Sequence, residues 1–294
     1  MSRQIARDIS YAHSAATRGG RTLIRAMEAA SGRFGLIRRA AGYERDVADG
    51  ACFWQVMKER YGVSLDIIGG SAQNLPQTGP LITVSNHPYG ILDGLMLGHL
   101  LAARRKGDFR ILANSVFRKA EDLDRVILPI SFDETREALA QNIATRAEAL
   151  RYLGQGGAIG IFPGGTVSTA ARPFGVPMDP LWRGFTAKMI AKSDAAVVPV
   201  FFAGHTSRLF QIASHLHPSL RMGLLIREFR RRIDGPVQIV IGKPLARDEL
   251  AARRSDGKAM MDFLRKSTYE LSPEPLGDFE YGYEFEAKHR APKF

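Results

Sequence analysis

Short apolar runs alternate with longer amphipathic stretches through most of the chain. The apolar runs have the length of β-strands, and they occupy residues 64–68, 81–85, 109–113, 126–130, 158–162, 195–203 and 237–241. The stretches between and after them are predicted as helices at residues 91–106, 116–123, 135–153, 181–192 and 248–264. This alternation predicts the α/β class, with a mixed, mostly parallel sheet flanked by helices.

The pattern divides the chain into three parts. Residues 1–62 are predicted as a basic helical region, with helices over 2–45 and 46–61 and a break at Gly19-Gly20. Residues 63–272 are predicted as the α/β domain. Residues 273–294, which are rich in proline, glycine and charge, are predicted as a loosely packed C-terminal tail.

The chain is strongly basic. Its 294 residues include 41 Lys+Arg and 30 Asp+Glu, which gives a formal net charge of +11. Apolar residues make up 45% and charged residues 24%, which excludes a disordered, collagen-like or coiled-coil protein. Residues 1–45 hold nine arginines, and a second cluster consists of Arg221, Arg227, Arg230, Arg231 and Arg232. The clusters indicate an anionic membrane surface as a partner, with solvated helix faces as the alternative.

The N-terminal pattern predicts a helix at a membrane surface, because Ile5, Ile9, Leu23, Ile24 and Met27 recur among the arginines. The alternative is that these side chains pack on the α/β domain. No apolar run reaches the roughly 18–20 residues of a membrane-spanning helix, and the N-terminus lacks the apolar core of a secretory signal. We therefore expect a peripheral protein on the cytoplasmic side of the membrane.

The first candidate site reads SNHPYGILDG at residues 85–94, directly after a predicted strand. Asp93 lies six residues after His87, so the two side chains can meet only if residues 88–90 form a turn, which proline and glycine favour. A carboxylate that holds one imidazole nitrogen leaves the other as a general base. A buried structural histidine is the alternative, although the flanking polar and turn residues disfavour it.

The second candidate site reads FPGGTVST at residues 162–169, again after a predicted strand. Gly164 and Gly165 let backbone amides approach a ligand, and the hydroxyl groups of Thr166, Ser168 and Thr169 add donors. Such a loop suits an anion or a developing oxyanion. It lacks the lysine of a nucleotide-binding loop, and a plain Gly-Gly turn is the alternative.

Together these segments resemble the glycerolipid and lysophospholipid acyltransferase superfamily (PlsC-like). Members carry Asn-His-x4-Asp after a strand, Phe-Pro-Glu-Gly-Thr farther along, and then a Val-Pro-Val strand. The matching residues here are Asn86, His87 and Asp93, then Phe162, Pro163, Gly165 and Thr166, then Val198, Pro199 and Val200. The variant Asn-His-Pro-x-Gly-x-x-Asp-Gly is similar to the branch of hemolysin-like proteins and lyso-ornithine lipid acyltransferases.

The resemblance implies that His87 deprotonates an acceptor hydroxyl while Asp93 orients the imidazole. The acyl donor would be a thioester of acyl carrier protein or coenzyme A, and the acceptor a lysolipid. The implied substrate-binding residues are Asn86, Gly164, Gly165, Thr166, Ser168, Asn114, Arg118 and Arg183. We expect no cofactor, no metal and no covalent intermediate on the single cysteine, Cys52, which lies outside both motifs. We also expect no nucleic-acid partner, because helix-turn-helix, zinc and aromatic-interleaved patterns are absent from the sequence.

Two departures from the family pattern bear on the acceptor. Gly164 stands where the family has Glu, and Val167 stands where an Arg often follows. Because those residues are associated with recognition of an acceptor phosphate, we expect a lyso-aminolipid such as lyso-ornithine lipid. The alternative is a 1-acylglycerol-3-phosphate acyltransferase. Alternatives of other kinds are a non-catalytic basic module that binds membranes or nucleic acid, and a lipid hydrolase, which the lack of Gly-x-Ser-x-Gly disfavours.

Overall fold

The computed structural model describes residues 10–15, 17–114, 121–131, 135–277 and 279–285. The strands are β1 (Ser64–Gly70), β2 (Leu81–Ser85), β3 (Arg110–Asn114), β4 (Ile127–Ile130), β5 (Ala158–Ile161), β6 (Thr169–Ala170), β7 (Pro177–Met178), β8 (Ala196–Phe202) and β9 (Pro236–Ile241). A seven-stranded sheet has the order β1-β9-β8-β2-β5-β3-β4, and β6 and β7 form a separate antiparallel hairpin. Neighbours in the main sheet are parallel except β8 and β9, which confirms the predicted mixed, mostly parallel sheet.

Helices cover both faces of this sheet. They are α1 (Arg18–Ala30), α2 (Arg33–Ala40), α3 (Tyr43–Ala48), α4 (Phe53–Arg60), α5 (Ile91–Arg105), α6 (Glu121–Asp124), α7 (Arg136–Gly154), α8 (Phe185–Ile190), α9 (Arg208–Leu216), α10 (Pro218–Arg230), α11 (Arg247–Ala252) and α12 (Gly257–Tyr269). Helices α4, α5 and α10 bury apolar side chains in one core, whereas α7, α8 and α12 contribute to a second core. Because the sheet is covered on both faces, its central strands β2 and β5 are buried at every residue rather than at alternate ones.

The topology brings both sequence motifs to one edge of the sheet. Strand β2 lies between β5 and β8 and is parallel to both. The first motif follows β2 and the second follows β5, and residues 203–207 follow β8. The carboxyl ends of parallel strands are where α/β folds bind ligands.

Several predicted helices have different limits in the structure. Gly19 and Gly20 do not break the N-terminal helix but form the first turn of α1, where the Thr17 hydroxyl accepts the Gly20 N–H. The break comes instead at Gly32, whose φ is +92°. The predicted helix 46–61 is divided between α3 and α4, and 248–264 is divided between α11 and α12. Part of the predicted helix 116–123 lies outside the described residues.

The described part of the N-terminal region packs against the α/β domain. Helix α1 lies along α10, with Ile24 and Glu28 fully buried. The Glu28 carboxylate accepts hydrogen bonds from the Ser10 hydroxyl (2.8 Å) and the Tyr11 N–H (2.6 Å). None of the helices in the described ranges is long and apolar enough to cross a membrane.

The C-terminal tail, predicted to be loose, docks beside the second motif over its described residues 279–285. The Gly282 N–H donates to the carbonyl of Asp179 (2.9 Å), and the Tyr283 N–H donates to the carbonyl of Thr169 (2.8 Å). Glu284 is buried. This packing was not visible in the composition of the tail, because it depends on backbone pairing with the β6–β7 hairpin.

Candidate active site

A turn at residues 88–90 brings His87 to Asp93. Gly90 adopts φ +75°, a conformation that side chains disfavour, and α5 begins at the next residue. Asp93 lies in the first turn of α5, and its Oδ2 accepts hydrogen bonds from the N–H groups of Tyr89 (2.7 Å) and Gly90 (3.0 Å). The same oxygen lies 3.0 Å from Nδ1 of His87. One carboxylate therefore fixes both the turn and the imidazole.

Two side chains position the His87 ring: Asp93 contacts its Nδ1 edge, and Phe162 contacts one of its faces. The ring stacks on Phe162 of the second motif with ring centroids 4.3 Å apart and an interplanar angle of 30°. The His87 side chain remains 19% exposed, whereas that of Asp93 is fully buried. Since Nδ1 faces Asp93, Nε2 is the nitrogen that a ligand would meet.

Burial raises the pKa of Asp93, and the contacts with His87, Tyr89 and Gly90 oppose that rise by favouring the carboxylate. A charge this deeply buried is costly unless a partner compensates it. The imidazole of His87 is the side chain placed to compensate it, which is the arrangement of a carboxylate that orients a general base.

A second buried carboxylate, Asp179, joins the two motifs. Its Oδ1 accepts the backbone N–H of His87 (3.2 Å) and the hydroxyl of Ser168, and its Oδ2 accepts the indole N–H of Trp182 (2.9 Å). The Ser168 N–H in turn donates to the His87 carbonyl (2.8 Å). A side chain on Gly164 would begin 3.1 Å from Asp179 Oδ2, so the Gly164 position leaves room for this carboxylate.

Arg221 of α10 anchors the second motif from the other side. Its Nη2 donates to the Thr166 hydroxyl (2.9 Å) and the Val167 carbonyl (2.7 Å), and its Nη1 donates to the Thr169 hydroxyl (2.5 Å). The side chain is 1% exposed, so the alternative of a solvated helix face is wrong for this member of the arginine cluster. Burial lowers the pKa of the guanidinium to about 9, which leaves it charged at neutral pH.

Comparison with known proteins identifies the family. The model of the family described as Acyltransferase matches residues 50–274, which include both motifs, Asp179 and Arg221. The chain belongs to this acyltransferase family. It is therefore an enzyme that transfers acyl groups, and the resemblance drawn from the two motifs is confirmed.

Two curated relatives are similar to this acyltransferase over part of their length. A lyso-glycine lipid O-acyltransferase of Phocaeicola vulgatus is 26% identical over 202 residues, which cover 67% of this chain and 69% of the relative. One of Bacteroides thetaiotaomicron is 32% identical over 163 residues, covering 55% of this chain and 56% of the relative. The crystal structure of the 1-acyl-sn-glycerophosphate (LPA) acyltransferase PlsC from Thermotoga maritima aligns at a TM-score of 0.41 and 17% identity, covering 82% and 88% of the two chains.

Two residues predicted to bind substrate, Asn86 and Ser168, make side-chain hydrogen bonds to other residues of the acyltransferase. The Asn86 amide donates to the Phe202 carbonyl (2.9 Å) and accepts the Phe202 N–H (2.7 Å), which ties the first motif to the end of β8. The Ser168 hydroxyl is buried and donates to Asp179. Both side chains therefore hold the site together, and their role in binding substrate stays a prediction.

The other predicted residues differ in how the structure places them. Gly164, Gly165 and Thr166 lie on the loop after β5, beside the His87–Phe162 stack. The backbone N–H of Arg183 donates to the Pro163 carbonyl (3.0 Å), and its side-chain Nη2 lies 3.8 Å from Glu284 Oε2. Asn114 ends β3, but its side chain is outside the described residues, as is Arg118 altogether. Within the described ranges, no three His, Cys, Asp or Glu side chains are grouped as metal ligands.

Replacing Asp179 with asparagine is expected to slow the acyltransferase by up to about 10²-fold, because small displacements of catalytic groups are costly. His87, Ser168 and Trp182 all donate hydrogen bonds to the Asp179 carboxylate, and the amide N–H₂ of asparagine cannot accept them. A buried donor left without an acceptor also costs on the order of 1–3 kcal/mol of stability. Steady-state kinetics and thermal unfolding would measure both effects. Asp262→Asn is the matched control, since Asp262 accepts a hydrogen bond from Tyr281 (2.7 Å) away from the motifs. Equal kinetics for the two variants would contradict a positioning role for Asp179.

Proposed function

We propose that this acyltransferase moves a fatty acyl group from an acyl thioester to the hydroxyl of a lyso-aminolipid. The observation that carries the proposal is the pairing of a partly exposed His87 with the fully buried Asp93 at 3.0 Å. The similarity to two lyso-glycine lipid O-acyltransferases supports a lysolipid as acceptor. A non-catalytic binding module would have no need for the buried pair.

In the proposed reaction, Nε2 of His87 removes the proton from the acceptor hydroxyl. The hydroxyl oxygen attacks the thioester carbonyl carbon, and a tetrahedral intermediate with an oxyanion forms. The carbon–sulfur bond then breaks, and the leaving thiolate takes the proton from the imidazolium. Asp93 stabilises the imidazolium throughout, so the proton returns without a covalent enzyme intermediate.

The loop at residues 164–166 is the proposed binding segment for the acceptor or for the oxyanion. Arg221 contacts Thr166 and fixes the loop, and the hydrogen bond from Ser168 to the His87 carbonyl sets its distance from the base. Backbone N–H groups held in place in this way stabilise developing negative charge without reorganisation. Arg183, which donates to the Pro163 carbonyl, lies beside the same loop.

The side chains at the two family departures favour an acceptor without a phosphomonoester. Val167 is buried in an apolar cluster with Phe210 and Leu225, so this position presents no cation to a ligand. Both Nη atoms of Arg221 donate to protein groups rather than to solvent. Gly164 has no side chain, and the neighbouring Asp179 carboxylate would repel a phosphate group.

We expect lyso-glycine lipid and lyso-ornithine lipid to be acylated faster than lysophosphatidate at matched concentration. The physical reason is that the second motif lacks free cationic side chains for a phosphomonoester. Purified enzyme would be incubated with each lysolipid and with acyl carrier protein or coenzyme A thioesters, and products quantified by mass spectrometry. Faster acylation of lysophosphatidate would instead support the 1-acylglycerol-3-phosphate acyltransferase alternative. The two thioester arms would also identify the donor carrier.

We also propose a peripheral location on the cytoplasmic side of a membrane. The support is the lipid acceptor together with the net charge of +11, which favours an anionic surface. Sedimentation with vesicles of phosphatidylcholine, with and without phosphatidylglycerol, tests this location. Selective retention by the anionic vesicles is expected, and absence of binding to both would contradict it.

A further inference from the structure

Four large apolar side chains project into solvent on neighbouring elements beside the second motif. At the tip of the β6–β7 hairpin, Phe174 is 77% exposed and Val176 is 55% exposed. On the outer face of α9, Leu209 is 50% exposed and Leu216 is 70% exposed. We call these four residues the hairpin–helix patch. Grouped exposed apolar side chains of this kind mark interaction surfaces.

The hairpin and the helix are fixed to each other. Arg208, the first residue of α9, donates from Nη1 to the Gly175 carbonyl at the hairpin tip (3.0 Å). At the other end of α9, Nε2 of His215 lies 2.9 Å from the Ala170 carbonyl of β6. Leu209 and Leu216 are seven residues apart, so they lie on one face of the helix. The patch therefore belongs to one rigid unit.

This unit is continuous with the candidate active site. Strand β6 begins at Thr169, the last residue of the second motif, and the Thr169 hydroxyl accepts a hydrogen bond from Arg221. The preceding residue, Ser168, donates its N–H to the His87 carbonyl. The patch is therefore connected to the His87–Asp93 pair through Thr169 and Ser168.

The charge around the patch suits an anionic partner. Residues 163–178 and 203–227 contain no Asp or Glu, and Arg172 and Arg208 are exposed beside the apolar side chains. One acidic residue, Glu280 of the C-terminal segment, is close to the patch, and it lines a cavity of about 170 Å³ together with Arg172 and Val176. Exposed apolar side chains flanked by arginine are the pattern of surfaces that lie in a membrane interface.

We infer that the hairpin–helix patch docks on the surface of an anionic lipid bilayer. Phe174, Val176, Leu209 and Leu216 enter the interface, and Arg172 and Arg208 contact the lipid headgroups. The second motif then faces the layer in which a lysolipid acceptor resides. This inference rests on the proposed function, because a bilayer is the partner that a lipid acceptor requires.

The N-terminal region is the competing site for membrane contact. Its described residues include two exposed apolar side chains, Leu23 (42%) and Phe34 (62%), among exposed arginines. The inner face of α1, however, is already packed against α10. Substitutions on the hairpin–helix patch and substitutions on the N-terminal region therefore have different expected effects on vesicle binding. One binding experiment distinguishes the two surfaces.

The experiment measures partition of the full chain onto vesicles of phosphatidylcholine mixed with phosphatidylglycerol. Phe174→Ser with Leu216→Ser is expected to weaken binding by about tenfold or more. Arg172→Gln is expected to weaken it by about fivefold at low salt, with less effect as salt screens the charge. Arg208 is left unchanged because it fixes the hairpin to α9. The matched control is Leu139→Ser with Ile143→Ser, two exposed apolar residues on α7, which should bind as the wild type does. All substitutions are on exposed side chains, and thermal unfolding verifies the fold.

Wild-type binding by the patch variants, or loss of binding on Leu23→Ser with Phe34→Ser alone, would overturn the inference. Absence of vesicle binding by the wild type would also overturn it and leave a protein as the partner of the patch. A second assay uses a short-chain lyso-aminolipid analogue that dissolves as monomers. Patch variants should acylate this analogue at the wild-type rate but lose activity on vesicle-embedded acceptor. If the wild type acylated neither the monomeric analogue nor the vesicle-embedded acceptor, the proposed function would be refuted. The vesicle-binding measurement would still test the docking surface independently.

Discussion

Replacing His87 with alanine is expected to reduce acyl transfer by roughly 10²–10⁴-fold, the usual contribution of a positioned general base. The imidazole is the group that Asp93 contacts at 3.0 Å and that Phe162 stacks upon, so alanine removes the proton acceptor. Initial rates with saturating thioester and lysolipid would measure the effect. Both kcat and kcat/KM should fall, since the interaction acts in the transition state.

The control for this variant is His99→Ala, which alters a histidine on α5 that is not part of either motif. Circular dichroism and thermal unfolding would show whether His87→Ala retains its fold, because the variant leaves the buried Asp93 without its imidazole partner. Near-wild-type turnover by a folded His87→Ala variant would remove His87 from the mechanism.

Replacing Asp93 with asparagine is expected to be nearly as damaging, with a loss of roughly 10²–10⁴-fold. The asparagine carbonyl can still accept the N–H groups of Tyr89 and Gly90, so the turn should persist. The variant loses the negative charge that stabilises the His87 imidazolium.

Comparison with Asp93→Ala separates these two roles of the carboxylate. Alanine removes the cap of α5 as well as the charge, so it should lower stability by about 0.5–2 kcal/mol beyond the asparagine variant. Asp248→Asn, an exposed carboxylate in the first turn of α11, serves as the unaffected control. If Asp93→Asn kept most of its activity while Asp93→Ala lost it, Asp93 would be a structural cap only.

The strand pattern was predictable because the central strands are short and buried on both faces. Residues 81–85 are mostly apolar and all buried, and the structure has β2 over the same residues, Leu81–Ser85. The edge of the sheet where His87 and Phe162 meet then follows from the parallel order of β2 and β5. Sequence reasoning therefore located both motifs after strands, and the strand order in the structure brings them to a common edge.

The contacts that hold the motifs together could not be predicted in the same way. Asp179 reaches His87 across a separation of 92 residues, and Arg221 reaches Thr166 across 55 residues. In the sequence, Arg221 is one of several basic residues on an amphipathic helix, and only tertiary packing distinguishes it from exposed neighbours such as Arg230. The β6–β7 hairpin has strands of two residues each, which is too short for a periodic signal.

Helix ends were misplaced where local capping decides them. The predicted helix at residues 248–264 is interrupted because Asp256 caps a new helix by accepting the N–H groups of Lys258 (3.0 Å) and Ala259 (2.9 Å). The Asp-Gly-Lys sequence there is a recognisable start signal. Attention to caps would have divided this segment correctly, whereas apolar periodicity alone joined it.

In the proposed reaction, the His87–Asp93 pair drives esterification of a lysolipid hydroxyl by an acyl thioester. The most direct test is tandem mass spectrometry of the product formed by wild-type enzyme from lyso-glycine lipid and an isotopically labelled acyl thioester. We expect the labelled acyl group to be ester-linked at the acceptor hydroxyl, in an amount that Asp93→Asn and His87→Ala strongly reduce. Release of labelled free fatty acid without acylated lipid, or an ester formed equally well by both variants, would contradict it.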